Sequence, residues 1–245
     1  MGLEEVAKME YPGRFIVLGT SPNRDSVIVY GITGRSESSK ARAMVIEDFG
    51  GKAIIQVRPS DEKIIRKGNL DLLVYPAIIT SQDQCVVSNG KQTSDLLPRD
   101  SNGDSMAPIL DIARGHISWE FEPDSPNFTP RISGKVAYTK DSFYAGLGII
   151  REEEGIRVRS FFEVPVVEGV GKFISTYSGE NKDPLPSFES NPIKIALTHK
   201  NAFECAEFFY NLFRPEIRVS VAAIYTARGE KFFKTHHYIR NRVDR

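Results

Sequence analysis

No apolar run in these 245 residues reaches the roughly 18 to 20 that a membrane-crossing helix requires, so no spanning helix is predicted. Neither sign of charge is in excess. The 32 Lys and Arg balance 32 Asp and Glu, which excludes a general cationic surface for nucleic acid or acidic lipid but leaves room for a local pocket around one phosphate. Cysteine is scarce: Cys85 and Cys205 stand far apart with no CxxC spacing, and they read as two reduced thiols of a cytosolic protein. His116, His199, His236 and His237 form no HExxH, and no metal or organic cofactor is expected. GxGxxG, P-loop and GxSxG patterns are missing too, so neither a Rossmann fold nor a nucleophile elbow is indicated. The N-terminal MGLEEVAKMEYPGRF carries acids where a secretory signal has a basic region, and Val6 stands where a myristoylation signal wants Ser or Thr. A cytoplasmic protein is the expectation.

The chain does contain many short β-type runs between turn signals. Phe15–Thr20 and Ser26–Thr33 flank SPNRD and predict a hairpin. Ala43–Glu47 and Lys52–Arg58 flank FGG, and Leu72–Ser81 pairs with Gln84–Ser88. Pro76 puts Leu72–Ser81 at a sheet edge or a bulge, which gives Tyr75 an unusual setting. Asn89-Gly90 signals a tight turn, Gln92–Arg99 a short helical turn, and Met106–Trp119 a helix with Ile109, Ile112 and Ala113 on its apolar side. Strand patterns return at Ile132–Thr139, Ser142–Ile150, Ile156–Val164, Phe173–Tyr177, Lys194–Thr198 and Ile217–Thr226, while His236-His237 fall in a further strand or a basic tail. Asn201–Phe213 is the best helix, with Asn201 as cap and Phe203, Ala206 and Tyr210 as its stripe. This order predicts an α+β domain over residues 1–245, built of mostly antiparallel sheets with helices on their outer faces.

Two polar segments stand out. Trp119–Ile132, WEFEPDSPNFTPRI, gathers Glu120, Glu122, Asp124, Asn127, Thr129 and Arg131 around Pro123, Pro126 and Pro130. Proline forbids a helix interior or central strand there, so a stiff loop is predicted, either presenting charges to a ligand or simply connecting elements. Gly34–Arg42, GRSESSKAR, crowds Arg35, Ser36, Ser38, Ser39, Lys40 and Arg42 together, a density that suits a phosphate or a solvated loop.

Five segments, in order, resemble one family, the archaeal-type inosine-monophosphate (IMP) cyclohydrolases: YPGR at Tyr11–Arg14, Tyr30 followed by GRS at Gly34–Ser36, Tyr75 preceding VVSNG at Val86–Gly90, FEPDSPNFTPRI at Phe121–Ile132, and ISTY at Ile174–Tyr177. The resemblance implies a four-layer αββα sandwich like that of the N-terminal-nucleophile hydrolases. It does not imply their N-terminal nucleophile, because Met1 and a leader precede the first strand. The implied reaction closes 5-formamidoimidazole-4-carboxamide ribonucleotide to IMP with loss of water. An amide nitrogen attacks poorly, so such a site must hold it against the formyl carbon, remove a proton, and stabilise the formyl oxygen.

Carried over residue by residue, the resemblance implies Glu122 for proton transfer, Tyr75 as donor to the formyl oxygen, and Arg42, with Arg35 and Ser36, at the phosphate or the reacting centre. Lys40 competes with Arg42 for that role. Asn89, Asp124, Asn127 and Arg131 would orient the substrate. Each has a plainer alternative: Tyr75 as a strand aromatic, Glu122 with Arg131 as a structural ion pair, Asn89 as a turn residue. The partner implied is a small purine nucleotide, without nucleic acid or membrane, and a homo-oligomer is left open. Two further functions also stay open: a purine-nucleotide-binding protein without turnover, and an amidohydrolase acting on another small amide.

Overall fold

The computed structural model describes residues 2–49, 52–60, 74–97, 105–228 and 233–243. The expected FGG turn, the Leu72–Leu73 start of one strand and the end of the helical turn at Arg99 lie wholly or partly outside these residues. A short helix α1 (Leu3–Ala7) leads to β1 (Arg14–Thr20), which pairs antiparallel with β2 (Ser26–Thr33) as the predicted hairpin. Its turn is closed by Ser21, whose hydroxyl accepts from the backbone N–H groups of Asn23 and Asp25. Helix α2 (Glu37–Lys40) then leads to β3 (Arg42–Phe49) and β4 (Lys52–Pro59). Beyond them come β5 (Tyr75–Thr80), β6 (Gln84–Ser88), a 3-10 turn (Lys91–Leu96) and helix α3 (Ala107–Gly115). Strands β7 (Arg131–Tyr138), β8 (Phe143–Glu153), β9 (Ile156–Val164), β10 (Val170–Ser175) and β11 (Ile193–Ala196) precede helix α4 (Ala202–Leu212). Strands β12 (Arg218–Arg228) and β13 (Phe233–Asn241) follow, so His236 and His237 lie in a strand.

The strands form two antiparallel sheets, in the orders β11-β10-β1-β2-β12-β13 and β3-β4-β5-β6-β7-β8-β9. One apolar core runs between them, joining Ile16, Leu18 and Tyr30 of the first to Tyr75, Val87, Ile132 and Val136 of the second. Every residue of β1 and β2 is buried, because α4 covers the face turned away from this core. That is why both strands read as continuous apolar runs instead of alternating. Among the described residues no helix is long and apolar enough to cross a membrane.

Two expectations are corrected, and a third, left between two settings, is decided. The buried stripe of α4 is Ala202, Cys205, Ala206 and Phe209, while Phe203 is 55% exposed and Tyr210 half-buried. Both sets have helical spacing, and packing selected the one with smaller side chains to sit against the sheet. Asn201 does cap the helix, accepting from Glu204 N–H at 2.9 Å. Asn89-Gly90 is not a hairpin turn, since the chain passes through extended backbone at Gly90 into the 3-10 turn. Of the edge or bulge expected at Pro76, the structure has the bulge: β5 is interior, between β4 and β6, and Pro76 is accommodated there. Ile55 pairs with Ile78 while Gln56 pairs with Pro76, leaving Ala77 as the extra residue. The bulge inverts the alternation: Ile79 faces the outer layer while Tyr75, Ala77 and Ile78 belong to the inner core. Without it Tyr75 would share the face of Ile79.

The outer face of the second sheet is covered by α3 and the 3-10 turn over Ile79, Val86, Leu96 and Ile112. Lys135 of β7, with no exposed surface, pins this layer by an ion pair to Asp111 of α3 at 2.8 Å and a hydrogen bond to the Leu96 carbonyl at 3.0 Å. Replacing Lys135 by Met leaves the buried Asp111 carboxylate with only the exposed Arg114, 3.7 Å away, which is expected to cost about 3 kcal/mol. Adding Asp111→Leu should recover most of the loss, and urea unfolding of the single and double variants measures both.

Candidate active site

The loop from Trp119 to Pro130 has no regular secondary structure, and its own polar groups fix its shape. Glu122 N–H donates to the Thr129 carbonyl at 2.9 Å, and Asp124 accepts from both the N–H and the hydroxyl of Thr129. The same hydroxyl lies 2.6 Å from the Tyr177 hydroxyl, and Asn127 accepts from Leu185 N–H at 2.9 Å. The loop is therefore tied to the chain around Tyr177 and Leu185, and its tip is braced by the edge-on rings of Phe121 and Phe128. Asp124 and Asn127 spend their oxygens on this bracing.

The bracing holds Glu122 at 2% exposure against Arg14, the first residue of β1. Arg14 Nη2 lies 3.3 and 3.4 Å from the two carboxylate oxygens, and Arg131 Nη1 is 3.9 Å from one of them. Burial pushes the Glu122 carboxyl above the usual carboxylate range, against the opposing pull of Arg14 and Arg131. Gly13 delivers Arg14 to this place: its φ is +74°, and a Cβ would fall 2.2 Å from the Thr176 hydroxyl. Arg131 is held by the Glu120 carbonyl, by Gln92 Oε1 at 3.0 Å, and by the Trp119 ring below its guanidinium. Gly90 makes room for it, since a Cβ there would lie 2.6 Å from Arg131 Nη1. Asn89 is buried beside it, donating to the Pro130 carbonyl and accepting from Ile132 N–H and Gln92 Nε2.

A second polar group adjoins the first. The bulged Tyr75 meets Tyr30 of β2 across the two sheets, hydroxyl to hydroxyl at 2.7 Å. Both phenols are essentially unexposed, and burial holds the Tyr30 hydroxyl well above its usual pKa. Burial likewise pushes Tyr177 up to about 12. Arg42, 5% exposed at the start of β3, donates Nε to the Ser39 carbonyl at 2.8 Å. Its terminal nitrogens have no protein partner among the described residues, and its charge is felt by Tyr75, Tyr11, Tyr30 and Arg14. The structure thus separates Arg42 from Lys40, which closes α2 and makes no ion pair with this group. Arg35 and Ser36 lie apart, on the exposed rim. Arg35 reaches Asn181 and the Tyr11 ring, and Ser36 caps α2 through Ser39.

One end of the inter-sheet core therefore holds a buried carboxylate, three buried arginines, and a hydroxyl pair. Such a set can take a proton from one atom while donating hydrogen bonds to another nearby. Glu122, Tyr75, Arg42 and Arg131 come together as a group. Arg14, Tyr30 and Tyr177 join them without having been singled out, although all three stand inside the quoted motifs YPGR, Tyr30 and ISTY. Among the described residues no group of His, Cys, Asp and Glu is arranged to hold a metal ion.

The family model described as IMP cyclohydrolase-like protein matches residues 11–231. The chain belongs to the IMP cyclohydrolase-like family. An IMP cyclohydrolase of Methanothrix thermoacetophila is 31% identical over 76% of this chain and 83% of its own length. Two from Methanococcus maripaludis strains C7 and C6 are 27% and 25% identical, the former over 70% of this chain and 76% of its own, the latter over 90% and 98%. The matched region begins at Tyr11, beside Arg14, and every residue of the buried cluster falls within it. The family relationship therefore covers the site and every strand but β13, which lies outside it together with α1.

Asn89 has its carbonyl oxygen and one amide hydrogen committed to the start of β7 and to Gln92. Asn89→Ala, which strands those buried groups, is expected to lose about 2 to 3 kcal/mol of stability, read as a fall in thermal midpoint.

Proposed function

We propose that the chain is an IMP cyclohydrolase, closing the purine ring of 5-formamidoimidazole-4-carboxamide ribonucleotide. The observation that carries the reading is the buried Glu122 carboxylate, set against Arg14 and Arg131 within a chain whose relatives are named IMP cyclohydrolase. Glu122 accepts a proton from the carboxamide nitrogen as the carbon–nitrogen bond forms. The formyl oxygen, hydrogen-bonded by Tyr75 and faced by Arg42, takes up the proton that Glu122 gives back and becomes a hydroxyl. That hydroxyl leaves as water together with a proton from the former formamido nitrogen, which sets the new double bond. No covalent enzyme intermediate is needed, because the substrate carries both reacting partners.

Arg42 lies with Tyr30 and Tyr75, so this reading assigns it to the reacting centre and leaves the 5′-phosphate to the exposed Arg35 and Ser36. Arg131 and Asn89 shape the wall on which the base rests, and Asp124 and Asn127 act by holding the loop. With α4 outside one sheet and α3 outside the other, the arrangement supports the αββα layering of the N-terminal-nucleophile hydrolases, used here as a single cytoplasmic domain.

The test is ultraviolet detection of IMP formed from the formylated substrate by purified protein. Glu122→Gln should lower turnover by about two to four orders of magnitude while leaving IMP binding by calorimetry largely intact. Unchanged turnover would remove Glu122 from the chemistry. Absence of turnover in the parent protein, with IMP still bound, would leave a nucleotide-binding protein. The sign of the pH dependence is fixed by the same group: a protonated Glu122 cannot accept a proton, so kcat/KM falls as pH drops through its pKa. Because burial raises that pKa, the fall should begin at a higher pH than an ordinary carboxylate would give.

A further inference from the structure

Of the two cations nearest Glu122, only Arg14 has the carboxylate as its main side-chain partner. Arg131 divides itself among the Glu120 carbonyl, Gln92 Oε1 and the Trp119 ring, and it approaches Glu122 no closer than 3.9 Å. Arg14 Nη2 sits between both carboxylate oxygens at 3.3 and 3.4 Å, while its Nε is buried with no partner among the described residues. Its backbone is clamped on both sides, with N–H donating to the Thr176 hydroxyl at 3.1 Å and the carbonyl accepting from Thr176 N–H at 2.9 Å. A buried carboxylate must be paired to stay charged, and in this site one arginine on a fixed strand end supplies the pairing.

We propose that Arg14 is the positioning residue of Glu122, fixing both carboxylate oxygens and keeping the group ionised so that it can take the substrate's proton. The inference rests on the cyclohydrolase reading and extends it to a residue from the opposite sheet. The charged groups facing Glu122 are Arg14 of β1, Arg131 of β7, Arg42 of β3, and Asp124 of its own loop. Tyr30, Tyr75 and Tyr177 complete the surroundings of Arg14. Three of the four charges are cations, but Arg14 exerts the largest pull toward the ionised form. Without it, burial and Asp124 should carry the carboxyl further upward.

The experiment compares pH profiles of kcat/KM for the parent protein, Arg14→Met and Arg14→Lys. In Arg14→Met the acid limb should move to higher pH by about one unit or more, lowering kcat/KM about tenfold per unit on that side. Arg14→Lys, which restores the charge, should return most of the way. An acid limb in Arg14→Met that coincides with the parent's, or an Arg14→Lys limb displaced as far as that of Arg14→Met, would overturn the proposal. Circular dichroism and IMP calorimetry establish that each variant is folded, and Arg14→Gln takes the place of Arg14→Met if that one is not. The Glu122 carboxyl titration, read by infrared difference against Glu122→Gln, tests the same shift without turnover. Loss of the cyclohydrolase reading and loss of the Arg14 role are thereby told apart: the first appears as a parent protein that forms no IMP, the second as a carboxyl titration indifferent to residue 14.

Discussion

Burying the Glu122 carboxylate is the constraint from which most of the surrounding structure follows. In an apolar setting such a group would pick up a proton, and at 2% exposure little water is left to prevent it. The opposing force comes from Arg14 and Arg131. These cations reach it from different sheets, Arg14 from β1 and Arg131 from β7, with Glu122 on the loop between α3 and β7. The ion pair therefore depends on the spacing of the two sheets, and the continuous apolar core sets that spacing. The surroundings of this carboxylate are thus decided by packing, which changes little.

The loop that carries Glu122 pays for its irregular path with internal hydrogen bonds instead of strand partners. Thr129 is the hub: its backbone and hydroxyl both go to Asp124, its carbonyl receives the Glu122 N–H, and its hydroxyl touches Tyr177. Prolines on either side remove backbone freedom that a ligand would otherwise have to remove on binding. The polar residues of this segment thus divide into Glu122, buried against Arg14 and Arg131, and several that hold the loop around it. Pre-organisation of this kind is what lets fixed donors stabilise developing charge without rearranging.

Much of this was legible in the sequence, and what was not has identifiable causes. Hairpin composition, β-type runs and the capped Asn201 helix gave the antiparallel α+β arrangement, because these signals are local. The proline-dense loop and the ordered motifs named Glu122, Tyr75 and Arg131, and the polar segment Gly34–Arg42 named Arg42; the fold brings these four together. The face of α4 was misread because Phe203 and Cys205 both belong to helical stripes, and only the sheet beneath chooses between them. Asn89-Gly90 imitates a hairpin turn, yet the glycine is needed so that Arg131 can approach, a contact with a residue 41 positions away. Arg14 stood in a quoted motif but had no charged neighbour in sequence, since its partner Glu122 is 108 residues distant. Pair distances of that kind belong to the fold and have no local signature.

The tyrosine pair shows how the bulge and the chemistry are joined. Tyr75 reaches the inner face only because Ala77 is inserted into β5, and there it finds Tyr30, whose hydroxyl also needs a partner once buried. The two hydroxyls bring two protons, and their mutual hydrogen bond uses one. Arg14 and Arg42, the nearest cations, only donate and cannot take the other. One proton is thus left for an acceptor that is neither phenol nor guanidinium, at a place where burial keeps Tyr30 from ionising at neutral pH. A carbonyl oxygen brought in by a ligand is such an acceptor, and its developing negative charge would meet Arg42, whose terminal donors are unengaged among the described residues. The bulge beside Pro76 in an interior strand therefore sets the Tyr75 hydroxyl against Tyr30 in the inter-sheet core, where the charge of Arg42 is felt.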